Sequence, residues 1–205
     1  MNFIVVSFYT ENTPYEEIIN KYLIASLKNF PDIKSRIFKV PTKHNWTRNV
    51  GMKPEIIEEA LNLYPYHNIV FIDADATIEI YPLLFNHIPN TYDIAVHYLD
   101  WATWYGRPEE TRQELLSGTL FFSNTDKVKS LVRHWKQDCD THNLPDARAL
   151  EDIIQQNKGE VNVCPLPLSY CYIDSLPNGD LPLVKIDYPV IKHYQASRTV
   201  KRFIN

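Results

Sequence analysis

Residues 2–9 form an unbroken apolar run of strand length, the pattern of a parallel strand buried on both faces. Thr13-Pro14 then opens a segment whose apolar positions Ile18, Ile19, Leu23, Ala25 and Leu27 keep helical spacing. Ser35–Val40 reads as a second strand and is followed by a polar loop. Lys53-Pro54 begins a helix over Glu55–Leu63, and His67–Ile72 is a very apolar third strand that ends on Asp73. A short helix near Tyr81–Ile88 and a strand at Asp93–His97 complete a β-α-β-α-β-α-β order. That order implies a largely parallel sheet with right-handed crossovers.

The second half changes character. Tyr98–Gln113 reads as a long aromatic loop, Leu115–Ser123 as a strand, and Asp126–Asp140 and Asp146–Gln156 as helices. Val161–Cys164, Ser169–Ile173 and Val190–His193 read as short strands between Pro-rich connections, and Ser197–Phe203 as one or two helical turns. The fold class expected is α/β, one domain over residues 1–205. A nucleotide-binding half (1–97) precedes a mixed acceptor-binding half (98–205).

Composition narrows the function. A hydrophobic fraction of 44% and a charged fraction of 22% describe an ordinary globular chain, and no stretch approaches the roughly 20 apolar residues that span a bilayer. The first residues lack the basic flank and cleavage site of a signal peptide, and three cysteines without CxxC spacing suggest reduced thiols, so the expected location is cytoplasmic. A formal net charge of −4 argues against a surface devoted to nucleic acid. Five glycines against thirteen tyrosines and four tryptophans disfavour a Gly-rich phosphate loop and favour aromatic platforms.

The candidate chemistry centres on Asp73 and Asp75 in Phe71-Ile72-Asp73-Ala74-Asp75-Ala76-Thr77. In an open parallel sheet ligands bind beyond the carboxyl ends of the strands, where this pair stands. Two carboxylates one residue apart reach one Mn²⁺ or Mg²⁺ together, with a substrate phosphate completing the shell. A plain solvated turn also accounts for Asp at a strand end. The same letters fit the DxDx(T/V) motif of haloacid-dehalogenase-like phosphatases, in which the first Asp is the nucleophile. That motif ends a first strand, however, whereas two strands and two helices precede Asp73.

Several segments in order carry a second resemblance: Ser7-Phe8-Tyr9-Thr10 after the first strand, Lys53–Leu61, Val70–Asp75, Ser117–Asn124, Leu150–Ile154 and Val190–Tyr194. Together they resemble the GT-A-fold glycosyltransferases over nearly the whole chain. The resemblance implies a nucleotide-sugar donor, a hydroxyl acceptor and a divalent metal. It implies a nucleoside site at Ser7, Tyr9 and Thr10, with Arg48 and Lys53 approaching the donor. Asp75 would bind the metal directly, Asp73 the ribose or a metal-bound water, and His193 would be a remote metal ligand. Ser197, Arg198 and Lys201 would close over the diphosphate. Gly118 and Thr119, with Trp101 and Trp104, would meet the acceptor. Asp152, or else Glu151, would take the acceptor's proton.

The donor expected is UDP-linked. A glycan, a small molecule, a protein or a hydroxymethylated DNA base could each be the acceptor. Lys127, Lys129, Arg133, His134 and Lys136 offer DNA a basic face, although the net charge does not favour it. A nucleotidyltransferase would need glycine in Ser7–Thr13, which has none. A non-catalytic nucleotide-sugar-binding module is the remaining class, and it requires no role for Asp152.

Overall fold

The structure is a computed structural model that describes residues 2–176, 179 and 182–204. β1 (Phe3–Thr10) lies inside a six-stranded sheet, flanked in parallel by β2 (Ser35–Val40) and β3 (Asn68–Ile72). β6 (Gln113–Phe122) runs antiparallel to β3, and β5 (Ile94–Asp100) lies antiparallel to β6 and parallel to β7 (Val163–Pro165). The order is β2-β1-β3-β6-β5-β7, so β6 alone opposes the common direction. This agrees with the expected mostly parallel α/β sheet. A second sheet of three short strands has the order β4 (Ala76–Ile78), β9 (Ile191–His193), β8 (Tyr172–Ile173).

Phe3, Val5 and Val6 are fully buried because helices cover one face of the sheet and the small sheet covers the other. On the first face, α4 (Lys53–Leu63) buries Ile56, Ile57, Ala60 and Leu61 as one helical stripe. Pro54 stands in its first turn, where a missing N–H is harmless. α6 (Asp126–His142) and α7 (Asp146–Gln156) pack beside it through Trp135, Leu150 and Ile153. On the second face, Tyr15–Ile19 (α1) passes through a π-helical turn at Asn20–Ile24 into Ala25–Leu27 (α2), burying Ile19 and Leu23.

The local departures from expectation have identifiable causes. The polar loop after β2 contains α3 (Trp46–Val50), started by the Asn45 carboxamide, which accepts from Arg48 N–H at 3.0 Å. The aromatic loop at 98–113 is mostly structured. β5 continues to Asp100, whose carboxylate caps α5 (Trp101–Tyr105) by accepting from Thr103 N–H at 2.7 Å. Gly106, at φ 63°, ends that helix. The division expected at residue 97 therefore runs through β5. The chain passes from β3 to β5 without a crossover α-helix, using β4 and a 3₁₀ turn (Leu83–Asn86) instead. Ser169–Ile173 splits into a 3₁₀ turn (Leu168–Tyr170) and β8, and the tail forms α8 (Ser197–Val200) and a final 3₁₀ turn (Lys201–Phe203).

The carboxyl end of α4 is closed from a distance. The Asn124 side-chain amide donates to the carbonyls of Leu61, Tyr64 and His67 at 2.8, 3.0 and 3.2 Å, and its backbone N–H donates to Asn68 Oδ1. These carbonyls belong to the last turn and exit of α4, which no further helical N–H can satisfy. Asn124→Ala is expected to destabilise the fold by about 2 kcal/mol, read as a lower urea midpoint with an unchanged m value.

Candidate active site

Asp73 leaves β3 with its N–H donating to Gly118 carbonyl at 2.8 Å, and its own carbonyl accepts from Ala76 N–H at 3.2 Å. This tight turn feeds β4, whose Ala76 is paired with His193 of β9. The small sheet thereby carries His193 to the acidic pair. One ligand atom from each of Asp73, Asp75 and His193 lies within 4.8 Å of the others.

A Cβ on Gly118 would stand 2.7 Å from His193 Cε1, 2.9 Å from its Nδ1 and 3.3 Å from Asp73 Oδ2, so glycine alone fits β6 at this point. The Thr119 hydroxyl bonds His193 Nε2 at 2.9 Å, which fixes the ring and turns Nδ1 towards Gly118 and Asp73. Asp75 is 9% exposed, and its Oδ2 accepts from Ala196 N–H at 2.6 Å.

Burial, and then the nearby Lys53 charge, lower His193 to about 3, so the imidazole is neutral at physiological pH. Burial raises Asp73 to about 7 while Lys53 opposes it and Asp75 adds to it; the side chain is still 36% exposed, so cleft water screens these charges. Burial also raises Asp75, against the Ala196 N–H bond. Two carboxylates that resist ionisation together, beside a neutral imidazole, form a donor set that suits a divalent cation such as Mn²⁺ or Mg²⁺.

Lys53 joins this cluster to the opposite wall. Its ammonium lies 3.0 Å from Asp73 Oδ1 and 2.6 Å from Asp146 Oδ2, and it donates to Ser117 carbonyl at 2.9 Å and to Ser117 Oγ at 3.1 Å. Ser117 Oγ in turn donates to Asp146 Oδ2 at 2.7 Å. Burial alone would lower the Lys53 pKa, but Asp146 and Asp73 reverse the effect and raise it, so the ammonium stays charged. The network forms the floor of a cleft of ≈ 360 Å³.

The expected residues divide by position. Tyr9, Thr10, Lys53, Asp73, Asp75, Gly118, His193 and Ser197 line the cleft. Ser7 is fully buried within β1 and Thr119 stands behind His193. Arg48 lies on α3 outside the lining, while its neighbours Trp46, Asn49 and Val50 are part of it. Arg198 donates to the carbonyls of Ser175 and Leu176, each at 2.8 Å, and Lys201 sits 4.0 Å above the Trp46 ring. Trp104 is 2% exposed and packs against Tyr172 in a small core; Trp101 donates its indole N–H to Glu114.

Asp152 is held by Arg148 at 2.9 Å, with Glu151 3.9 Å from the same guanidinium, and neither lines the cleft. The first residue of their helix, Asp146, does. Ser117, Tyr15, Trp46 and Glu114 join Asp146 in the lining, none of them expected there. For Asp146 a signal existed: α7 buries Ala149, Leu150, Ile153 and Ile154, so Glu151 and Asp152 lie off that stripe.

No family model and no curated protein sequence matches this chain. Among solved structures it is similar to the crystal structure of a glycosyltransferase involved in the glycosylation of the major capsid of PBCV-1. The TM-score is 0.60 at 11% identity, covering 100% of this chain and 99% of that one. The fold is GT-A-like. At that identity the likeness concerns architecture, and the chemistry rests on the cleft itself.

Two measurements probe the metal cradle. Gly118→Ala is expected to weaken Mn²⁺ binding at least about tenfold in calorimetry, because the added methyl group displaces His193 and Asp73. For the native protein, Mn²⁺ affinity should rise with pH through about 7 and then level off. Asp73, raised by burial, gives up the proton that competes with the ion as pH rises through that value, and Asp75, raised in the same direction, adds to the trend; His193, already neutral, adds no step.

Proposed function

We propose that the protein is a metal-dependent glycosyltransferase that moves a sugar from a nucleotide-diphosphate donor, UDP-linked, to a hydroxyl acceptor. The observation that carries the reading is the convergence of Asp73, Asp75 and His193 at the carboxyl end of β3, inside the main cleft of a GT-A-like fold. Asp75 and His193 would hold the ion, with Asp73 between it and the ribose. A divalent ion bound there supplies Lewis-acid stabilisation of the departing diphosphate.

The chain's own side chains serve the remaining needs. Tyr9, Thr10, Tyr15 and Trp46 form a wall that suits a nucleoside, with aromatic faces for the base. Ser197 reaches the cleft from the tail, and Lys201 stands over Trp46 on the same side, so the tail supplies cationic charge near the diphosphate. Asp146, fixed by Lys53 and Ser117, is placed to accept hydrogen bonds from hydroxyls of the transferred sugar. We assign it this orienting role in preference to Asp152, whose carboxylate is engaged by Arg148 away from the cleft.

The phosphatase reading requires Asp73 as nucleophile and Asp75 as a mobile acid/base. The Ala196 N–H on Asp75 and the Lys53 ammonium on Asp73 favour a fixed clamp.

The test is nucleotide release from a panel of nucleotide sugars with Mn²⁺. We expect UDP release, abolished by chelation and by Asp75→Ala. Inorganic phosphate released from phosphate esters, with no nucleotide-sugar binding, would contradict the reading.

A further inference from the structure

β6 runs against its neighbours, and this gives the cleft a second end. Ile72, the last residue of β3, is paired with Thr119, so β6 outruns β3 from Gln113 to Gly118 and is paired there with β5 alone. Gly118 abuts the metal cradle. Glu114, four residues earlier on the same strand, lies about 13 Å further along the cleft wall. Leu116 stands between them on that wall, and Ile173 faces the cleft from β8.

Glu114 differs from the other carboxylates of the cleft. Asp73 and Asp75 belong to the candidate cradle, and Asp146 is held beside it, its Oδ2 shared between Lys53 and Ser117. Glu114 is held from behind: Trp101 Nε1–H donates to its Oε2 at 2.8 Å, and Arg112 Nη2 lies 4.0 Å from the same oxygen. The Trp101 ring is in turn fixed by the Arg112 guanidinium, 4.3 Å from its centroid, and by the edge of Tyr105 at 5.1 Å. Among the described residues, Glu114 Oε1 carries no hydrogen bond.

We propose that this end of the cleft is the acceptor subsite, that it takes a neutral saccharide, and that Glu114 selects it by accepting hydrogen bonds from sugar hydroxyls. The proposal rests on the glycosyltransferase reading and names its acceptor. A prepositioned carboxylate forms strong bonds with hydroxyl donors, and half-buried Leu116 offers apolar surface to the C–H face of a sugar ring. The same carboxylate repels a phosphodiester backbone. Two cations of the basic face of α6 already have acidic partners: Lys127 pairs with Asp93 at 2.6 Å, and Lys136 lies 3.7 and 3.9 Å from Glu55 and Glu58. Trp101, expected to stack on the acceptor, acts in this arrangement as a positioning residue behind Glu114.

The Trp101 indole N–H reports on Glu114 without any turnover. In ¹⁵N-tryptophan-labelled protein, its resonance is assigned by its disappearance in Trp101→Phe. It is then followed against a panel of methyl glycosides and β- and α-linked disaccharides, and against a hydroxymethylcytosine-containing DNA duplex. We expect at least one saccharide to shift this resonance saturably and the duplex to leave it unmoved. Glu114→Gln should weaken that saccharide about tenfold or more while Mn²⁺ and UDP affinities stay within about twofold. A resonance that no saccharide moves, or that the duplex moves instead, overturns the proposal. So does a Glu114→Gln protein that binds the saccharide as tightly as the native one. These outcomes are read without donor, so they stay separate from failure to consume nucleotide sugar, which would contradict the transferase reading.

Discussion

Lys53 is 3% exposed, and the site is arranged around its buried charge. A lone cation so placed would be costly to desolvate, and only close, hydrogen-bonded counter-charges make it tolerable. Asp146 and Asp73 provide them, with Ser117 filling the remaining donor directions. Its partners come from the start of α7, the end of β3 and the overhang of β6, while Lys53 itself opens α4. Four separate elements are thus pinned at one point. Trp135 extends the arrangement by donating its indole N–H to the Asp146 carbonyl at 2.9 Å, beneath α7.

The proposed metal cradle inherits its geometry from this node. With Oδ1 of Asp73 engaged by Lys53, Oδ2 is the oxygen turned towards Gly118 and the imidazole. His193 is set by β9 and by Thr119, and Asp75 by the Ala196 N–H at the root of the tail. Each proposed ligand is therefore oriented by a partner outside the cluster, the arrangement that fixes a coordinating side chain before an ion arrives. The antiparallel course of β6 matters equally. It places Gly118 where a backbone without a side chain is required, and it carries the cleft wall past β3 to Glu114.

Much of this was legible in the sequence because burial leaves a periodic trace. The apolar runs before Thr10 and Asp73 marked two strands whose ends meet at the cleft, and the stripe Ile56, Ile57, Ala60, Leu61 marked the helix that Lys53 opens. The acidic pair was legible for the same reason: it follows the most apolar strand. What escaped depended on long-range placement. Trp46 sits in a five-residue helix too short to show periodicity, and its start depends on the Asn45 cap. Glu114 lies at the exposed beginning of a strand, where an acid is unremarkable until Trp101 is seen behind it. Asp146 was overshadowed by the adjacent acids Glu151 and Asp152, although the buried stripe of α7 already pointed away from them. Trp104 looked like an exposed loop aromatic because α5, with its Asp100 cap and Gly106 stop, is only one and a half turns long.

In the proposed function, Asp73, Asp75 and His193 hold a divalent ion against a nucleotide diphosphate. Anomalous diffraction at the manganese edge, from crystals grown with Mn²⁺ and UDP, tests it most directly. We expect one strong peak between the Asp75 carboxylate and the His193 imidazole, with diphosphate oxygens completing its shell and Lys53 still paired with Asp146. A peak elsewhere on the protein, or UDP bound in the cleft with no ion beside Asp75 and His193, would contradict it.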